Sequence, residues 1–131
     1  RVRLRKIMAA FEEEGLERDR ILKTVSHMQR AKAAIDSAVD AYMEAGSIQG
    51  HSGSVHLNLE ALLAEPNEVT LRVLARCMMQ VSGAIYPPRF DSLEGLYQAL
   101  GTTLWSDRTL HGCQLRLKGE YIVVSQEDRK R

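Results

Sequence analysis

The spacing of apolar residues predicts a mainly helical chain, with two helices and a rigid bend at the centre of its core. From Pro66 to Leu100 the apolar positions recur every three or four residues on both sides of the bend, as on the buried face of a helix. The first helix is expected to bury Leu71, Leu74, Met78 and Val81, widened by Val73 and Cys77, and the second Phe90, Leu93, Leu96, Tyr97 and Leu100. Pro87 and Pro88 stiffen the bend because each fixes its backbone and removes a donor. Asn67 is the predicted N-cap of the first helix.

Two further helices are predicted before this pair. The spacing of Leu4, Ile7, Met8 and Phe11 indicates an amphipathic helix that ends at Gly15. A longer helix follows and ends at Gly46. Its apolar seam repeats every seven residues at Ile21, Met28, Ile35 and Tyr42, with Val25 and Val39 between them. Such a repeat predicts packing along another helix for much of its length.

The remaining segments change period. Residues 47–54, rich in Gly and Ser, are expected to form a loop. The alternation of Val55, Leu57 and Leu59 predicts a short strand that leads into a helical turn at residues 60–64. Near the end, Cys113, Leu115 and Leu117 alternate with Gln114, Arg116 and Lys118, and a β-branched run occupies residues 121–124. This pattern predicts a hairpin with its turn at Lys118 and Gly119 and with Trp105 as an anchor before it.

These elements predict a mainly α (α+β) fold, a helical bundle with a short strand and a C-terminal β-hairpin. Residues 1–46 would form a helical linker and long helix, and residues 47–131 a helical lobe of the substrate-binding type, within one compact unit. The chain starts at Arg1 in mid-pattern. We therefore expect it to be a piece of a longer protein.

The amino-acid composition limits the class of protein but does not identify a function. In 131 residues, 44% are hydrophobic and 27% charged, a balance typical of a globular protein rather than a disordered one. No apolar run approaches the roughly 20 residues that a membrane span needs, and no signal peptide is recognisable. With 5% aromatic residues, a base-stacking surface such as that of an RRM or an OB-fold is disfavoured. Cys77 and Cys113 lack the spacing of a metal or redox pair, which predicts two buried, reduced thiols in a cytoplasmic protein.

Basic residues supply the candidate binding sites. The net charge is only +1, but Arg1, Arg3 and Arg5 crowd one end and Arg129, Lys130 and Arg131 close the other. Arg72 and Arg76, four residues apart, share one edge of the first central helix, and Arg89 ends the proline bend. Each set fits either phosphate contacts or an ordinary solvated surface.

The usual catalytic motifs are missing from this sequence. It contains no GxSxG, HExxH, paired CxxC, P-loop or GxGxxG, so an autonomous enzyme is not expected. His51 and His56 flank the polar loop without an acidic or Cys ligand nearby, and we expect no metal there. Helices followed by a hairpin are consistent with a nucleic-acid module, including a winged-helix type, and equally with a protein-interaction scaffold.

Four segments carry a resemblance to a known family. The opening RVRLRKIMAAF is similar to the R-N-R-I-R-x-x-L-x-P-x-L signature that follows the catalytic domain in tRNA(Ile)-lysidine synthases, which are PP-loop ATP pyrophosphatases. The similarity continues through EVTLRVLARCMMQVSG, YPPRFDSLEGLYQAL and TLHGCQLRLKGEYIVV. It covers essentially the whole chain, in order and spacing. Val2 departs from the usual Asn, and Ala9 or Ala10 stands where Pro is common.

The resemblance implies a role in forming lysidine at the wobble cytidine of isoleucine tRNA with a CAU anticodon. The family's SGGxDS loop is absent from this chain, so ATP and Mg²⁺ would bind in a catalytic domain that lies upstream, and this chain alone would be inactive. Its implied partners are isoleucine tRNA and its own N-terminal ATP domain. Contacts to tRNA are expected from Arg1, Arg3, Arg5, Arg72, Arg76 and Arg89. Self-association to a homodimer stays open.

Overall fold

The computed structural model describes residues 1–15, 17–103 and 105–128 of the chain, arranged as two units. The first unit is Arg1–Ile35, and the second begins at Asp36. The basic residues at positions 129–131 lie outside the described residues. The expected division of the protein into residues 1–46 and 47–131 stays a prediction.

The first unit contains the two predicted N-terminal helices. Helix α1 spans Val2–Glu13, and helix α2 spans Arg18–Gly46 and continues into the second unit. The apolar stripe of α1 is present, but Leu4, Ile7 and Phe11 are 67%, 50% and 43% exposed. No residue of α1 is buried.

The heptad seam of α2 is buried only near its C-terminal end. Val25 and Met28 are 44% and 66% exposed, whereas Val39 and Tyr42 are 1% and 4% exposed. The Tyr42 hydroxyl donates to the carbonyl of Asn58 over 2.7 Å, and the sulfur of Met43 lies 3.7 Å from the Cys77 thiol, so this end of the helix packs against the rest of the second unit. The predicted helix packing along much of the seam was therefore wrong for the described chain.

The second unit is organised around an antiparallel sheet with the strand order β1-β2-β5-β4-β3. The strands are β1 Ser47–Gln49, β2 Val55–Asn58, β3 Arg108–Leu110, β4 Cys113–Lys118 and β5 Tyr121–Gln126. A 3₁₀ turn, His51–Gly53, separates β1 from β2. The predicted short strand and C-terminal hairpin are confirmed as β2 and as β4 with β5, and they pair with each other.

The sheet is larger than the sequence pattern indicated. The segment predicted to be a loop contains β1, and β3 was not predicted. Both are three-residue edge strands that pair on one side only, so they need no apolar alternation to be stable. The hairpin turn lies one residue later than predicted, at Gly119 and Glu120, because Lys118 still pairs with Tyr121. Gly119 has φ +59°, which a glycine adopts readily.

Three helices pack on one face of this sheet. They are α3 Leu59–Ala64, α4 Asn67–Ser82 and α5 Phe90–Leu100, which confirms the central helix pair and the α+β class. The Asn58 side chain caps α3 by accepting from the Ala61 amide over 2.9 Å. Asn67 is not the N-cap of α4, since Pro66 occupies that position. Instead, the Asn67 side-chain oxygen accepts from the Tyr97 hydroxyl over 2.6 Å and connects α4 to α5.

The core lies between the inner face of the sheet and α4. Leu57, Leu115 and Ile122 project from adjacent strands and are fully buried, as are Leu74 and Met78 of α4. Burial of this apolar area supplies the main stabilisation of the second unit. Phe90 was predicted to join the core, but it is 60% exposed because it is the first residue of α5, at the rim.

Both cysteines are free and buried in this core, as predicted. The Cys113 thiol donates to the carbonyl of Met78 over 3.3 Å, and the Cys77 thiol contacts the sulfur of Met43 at 3.7 Å. Burial raises the pKa of Cys77 to about 12 and also raises the pKa of Cys113. Burial therefore favours the protonated form of both thiols.

The raised pKa of Cys77 predicts that the free energy of unfolding falls as pH rises above about 9. In that range the unfolded state loses the thiol proton and the folded state keeps it. Each such thiol contributes a slope of about 1.4 kcal/mol per pH unit. Urea unfolding between about pH 8 and about pH 10.5 measures it, and Cys77→Ala should have a shallower slope than the parent chain. Equal slopes would contradict the prediction.

Candidate nucleic-acid interface

The first set of predicted contacts lies at the start of α1. Arg1 precedes the helix, and Arg3 and Arg5 lie in its first turns, all of them exposed. No acidic residue occupies the first turn of α1. Because residues four apart share a helix edge, Arg1 and Arg5 lie together and Arg3 lies on the opposite side. The three arginines therefore do not converge on one point of the surface.

The second set, Arg72 and Arg76 on α4, faces acidic side chains of α2. Arg72 contacts Asp36 at 3.6 Å and Glu68 at 3.1 Å, and Arg76 pairs with Asp40. Two arginines thus meet three carboxylates along this edge. A phosphate would have to compete with those carboxylates, so this edge is less suited to phosphate than the sequence indicated. Its contribution to binding stays a prediction.

The third set contains Arg89 and its neighbours in the bend between α4 and α5. We call the side chains of Ile85, Tyr86, Arg89 and Phe90 the connector patch. Ile85, Tyr86 and Phe90 are 84%, 77% and 60% exposed, and Arg89 is exposed as well. An arginine flanked by exposed aromatic rings is a combination that single-stranded nucleic acids bind by stacking and charge.

The connector patch is held in place at both ends. Helix α4 ends at Gly83 with φ +74°, a left-handed conformation that glycine adopts without strain. The ring Nε2 of His111 lies 2.8 Å from the Tyr86 carbonyl, within hydrogen-bonding distance. Pro88 is buried between two exposed neighbours. These constraints reduce the entropy that a ligand would have to remove on binding.

The outer face of the sheet carries further basic and aromatic side chains that were not selected from the sequence. Arg116 and Lys118 of β4 are exposed there, and the ring of His56 lies edge-on to Tyr121 at 6.3 Å between centroids. The alternation in β4 was the available signal, since it separates Arg116 and Lys118 from the apolar positions. Only the strand order shows that Tyr121 and His56 share their face.

The described residues contain no cluster of three or more His, Cys, Asp or Glu side chains that could hold a metal ion. His51 lies in the 3₁₀ turn and His56 in β2.

Within the described ranges, no helix is both long and apolar enough to cross a membrane.

The known proteins to which this chain was found similar all have the same name, tRNA(Ile)-lysidine synthase. Over all of its length the chain is 33% identical to a tRNA(Ile)-lysidine synthase of Methylobacterium nodulans, of which it covers 41%. It is 29% identical to the tRNA(Ile)-lysidine synthase of Anaplasma marginale, over 93% of this chain and 27% of that protein. The Wolbachia pipientis wMel protein is 28% identical, over 94% of this chain and 29% of its own length. No family model matches the chain, and no solved structure matches it significantly.

These similarities relate the chain to the enzymes of tRNA modification. More particularly, the whole chain corresponds to the C-terminal part of tRNA(Ile)-lysidine synthases, which confirms the resemblance inferred from the sequence. The chain spans 27% to 41% of the length of the relatives that it matches.

The pairing of Arg76 with Asp40 predicts a small, salt-sensitive coupling between the two side chains. Exposed ion pairs typically contribute about 0.2 to 1 kcal/mol, and their side chains here are 42% and 69% exposed. A double-mutant cycle with Arg76→Met and Asp40→Asn, followed by urea unfolding, measures the coupling. It should fall at high salt. A coupling that is absent at low salt would contradict the observed pair.

Proposed function

We propose that this chain is the region that follows the ATP domain of a tRNA(Ile)-lysidine synthase and that it helps to hold tRNA. The observation that carries this proposal is the similarity of the whole chain to the C-terminal part of proteins with that name. The intact enzyme would adenylate the wobble cytidine of isoleucine tRNA with ATP and Mg²⁺. Lysine would then displace AMP to form lysidine.

In this proposal the present chain supplies binding and support rather than chemistry. The connector patch presents Arg89 between exposed apolar and aromatic side chains, and the outer sheet face adds Arg116 and Lys118. Arginine and lysine contacts to phosphate give affinity and fix orientation but carry little sequence information. Specificity for the anticodon would therefore belong to the catalytic domain, which is a second proposed partner of this chain.

The alternative, a winged-helix-like module that reads duplex DNA, has less support. A helix that enters the major groove presents basic or amide side chains to the bases. In α5 the charged residues are Asp91 and Glu94, both acidic and exposed. The arginines of α4 face carboxylates. A protein-interaction scaffold without RNA affinity is the other alternative, and it predicts no retention of tRNA.

The connector patch predicts that Arg89→Met weakens binding of unmodified isoleucine tRNA and lowers the slope of log K against log salt by about 1. Tyr86→Ala should cost about 1 to 3 kcal/mol if a base stacks on its ring. Fluorescence anisotropy of labelled tRNA across a salt series measures both effects. Lys23→Met, which removes an exposed charge from α2, is the control for net charge. Parent-like binding by both patch variants would remove this patch from the interface.

The α1 arginines predict a separate effect in the intact enzyme. Replacing Arg1, Arg3 and Arg5 together by Ala should weaken tRNA binding, with the loss largest at low salt, because exposed phosphate contacts are screened. Filter binding of the intact protein at several salt concentrations measures the change. Unchanged affinity throughout would exclude these arginines. Light scattering of the same samples reports whether the protein forms a homodimer.

A further inference from the structure

A shallow concavity separates the first half of α5 from the edge strand β3, on the helix-covered side of the sheet. Its volume is about 350 Å³, and its lining includes Ser92 and Gly95 of α5 with Ser106, Arg108 and Thr109. That size lies at the lower end of the range of about 300 to 1,000 Å³ seen for small-ligand sites. We call this feature the α5–β3 niche.

Two N–H donors beside the niche have no acceptor. The Nε of Arg108 and the indole Nε1 of Trp105 are both buried, and among the described residues neither has a hydrogen-bond partner. The guanidinium carbon of Arg108 lies 4.9 Å from the centroid of the Trp105 ring, which holds the cation in a stacked position. Buried donors without acceptors are rare in folded proteins and call for an explanation.

The charge of Arg108 is also uncompensated locally. None of the ion pairs among the described residues includes Arg108, although Asp107 precedes it in the chain. Arg108 pairs in register with Leu115, so it lies on the same side of the sheet as the core and near α5. A stacked arginine without a carboxylate partner, beside the hydroxyl-bearing residues Ser92 and Ser106, is suited to an anionic acceptor.

Gly95 supplies an independent observation. It lies in the middle of α5, where glycine is less favourable than alanine. A Cβ atom placed on Gly95 would meet nothing within 4 Å, so packing in the described chain does not require glycine there. Since Gly95 lines the niche, a bulky side chain at this position would occupy part of it.

We propose that the α5–β3 niche binds a phosphate group of an RNA strand, with Arg108 as the principal contact and Trp105 holding its guanidinium. This inference rests on the proposed tRNA-binding function for the source of the phosphate. The guanidinium group of Arg108, a residue that lines the niche, matches a ligand that only accepts hydrogen bonds, and phosphate oxygens do so. Ser92 and Ser106 offer hydroxyl donors around the same volume, whereas Thr109 pairs in register with Gln114 and its side chain lies on the other face of the sheet.

The single tryptophan makes this site directly observable. Trp105 is the only Trp in the chain and stacks on Arg108, so its indole N–H resonance and its fluorescence report on the surroundings of this arginine. The 131-residue chain is titrated with unmodified isoleucine tRNA and, separately, with inorganic phosphate at constant ionic strength set by chloride. Both titrations should shift the indole resonance with saturation, and chloride alone should not.

Two variants with matched controls test the assignment. Arg108→Met should weaken tRNA binding about 10-fold or more, as expected for loss of a charged hydrogen bond, and should lower the salt slope by about 1. Gly95→Leu should obstruct the niche with a bulky side chain while leaving the helix intact, because leucine is favourable in helices. The controls are Lys23→Met, which removes an exposed charge from α2, and Gly101→Leu at the end of α5, where φ is −84° and a Cβ meets only Gln98 O at 3.9 Å. Neither control should change the Trp105 response.

The outcomes separate this inference from the proposed function. If tRNA binds but Trp105 does not respond and both niche variants bind like the parent chain, the niche assignment is wrong and tRNA binding stands. If phosphate shifts Trp105 but tRNA neither binds nor shifts it, RNA is not the source of the phosphate, and both proposals fail. If neither ligand shifts Trp105 and no tRNA is retained, the niche and the tRNA-binding role are both overturned.

Discussion

Burial of α4 against the three central strands is the constraint on which the second unit depends. Leu57, Leu115 and Ile122 present a continuous apolar face across β2, β4 and β5, and Leu74 and Met78 of α4 cover it without leaving water access. That contact joins strands that are far apart in the sequence. The hairpin formed by β4 and β5 is only marginally stable by itself. Pairing with β2 and covering by α4 turn it into the centre of a sheet.

The same arrangement sorts the basic residues by their surroundings. Where α4 faces the acidic residues of α2, Arg72 and Arg76 form ion pairs with carboxylates. At the bend after α4, the buried Pro88 and the contact from His111 hold Tyr86 and Arg89 at the surface. On the opposite side of the sheet, Arg116 and Lys118 project away from the core. A net charge of +1 is therefore compatible with local surfaces that suit a polyanion.

Much of this fold was predictable because its helices are amphipathic and its central strands alternate. The helix pair, the strand after the Gly- and Ser-rich segment and the hairpin all carry that periodicity. The edge strands β1 and β3 do not, because an edge strand is stabilised by backbone hydrogen bonds to one neighbour and buries few side chains. Ile48 of β1 remains 53% exposed. For α2 the prediction was wrong for the opposite reason: the heptad periodicity is present in the sequence, but only Val39 and Tyr42 of this helix are buried.

The sequence by itself determined which faces of the helices and strands are apolar, which residues carry positive charge, and the relationship to tRNA(Ile)-lysidine synthases. Periodicity and motif order are local properties, so they can be read along the chain. Only the tertiary structure decided which charges are neutralised and which donors lack an acceptor, because both depend on residues brought together from distant segments. Arg76 contacts Asp40, which lies 36 positions earlier in the chain. Arg108 meets Trp105 nearby in the chain, but the open space beside Gly95 exists only once α5 lies next to β3.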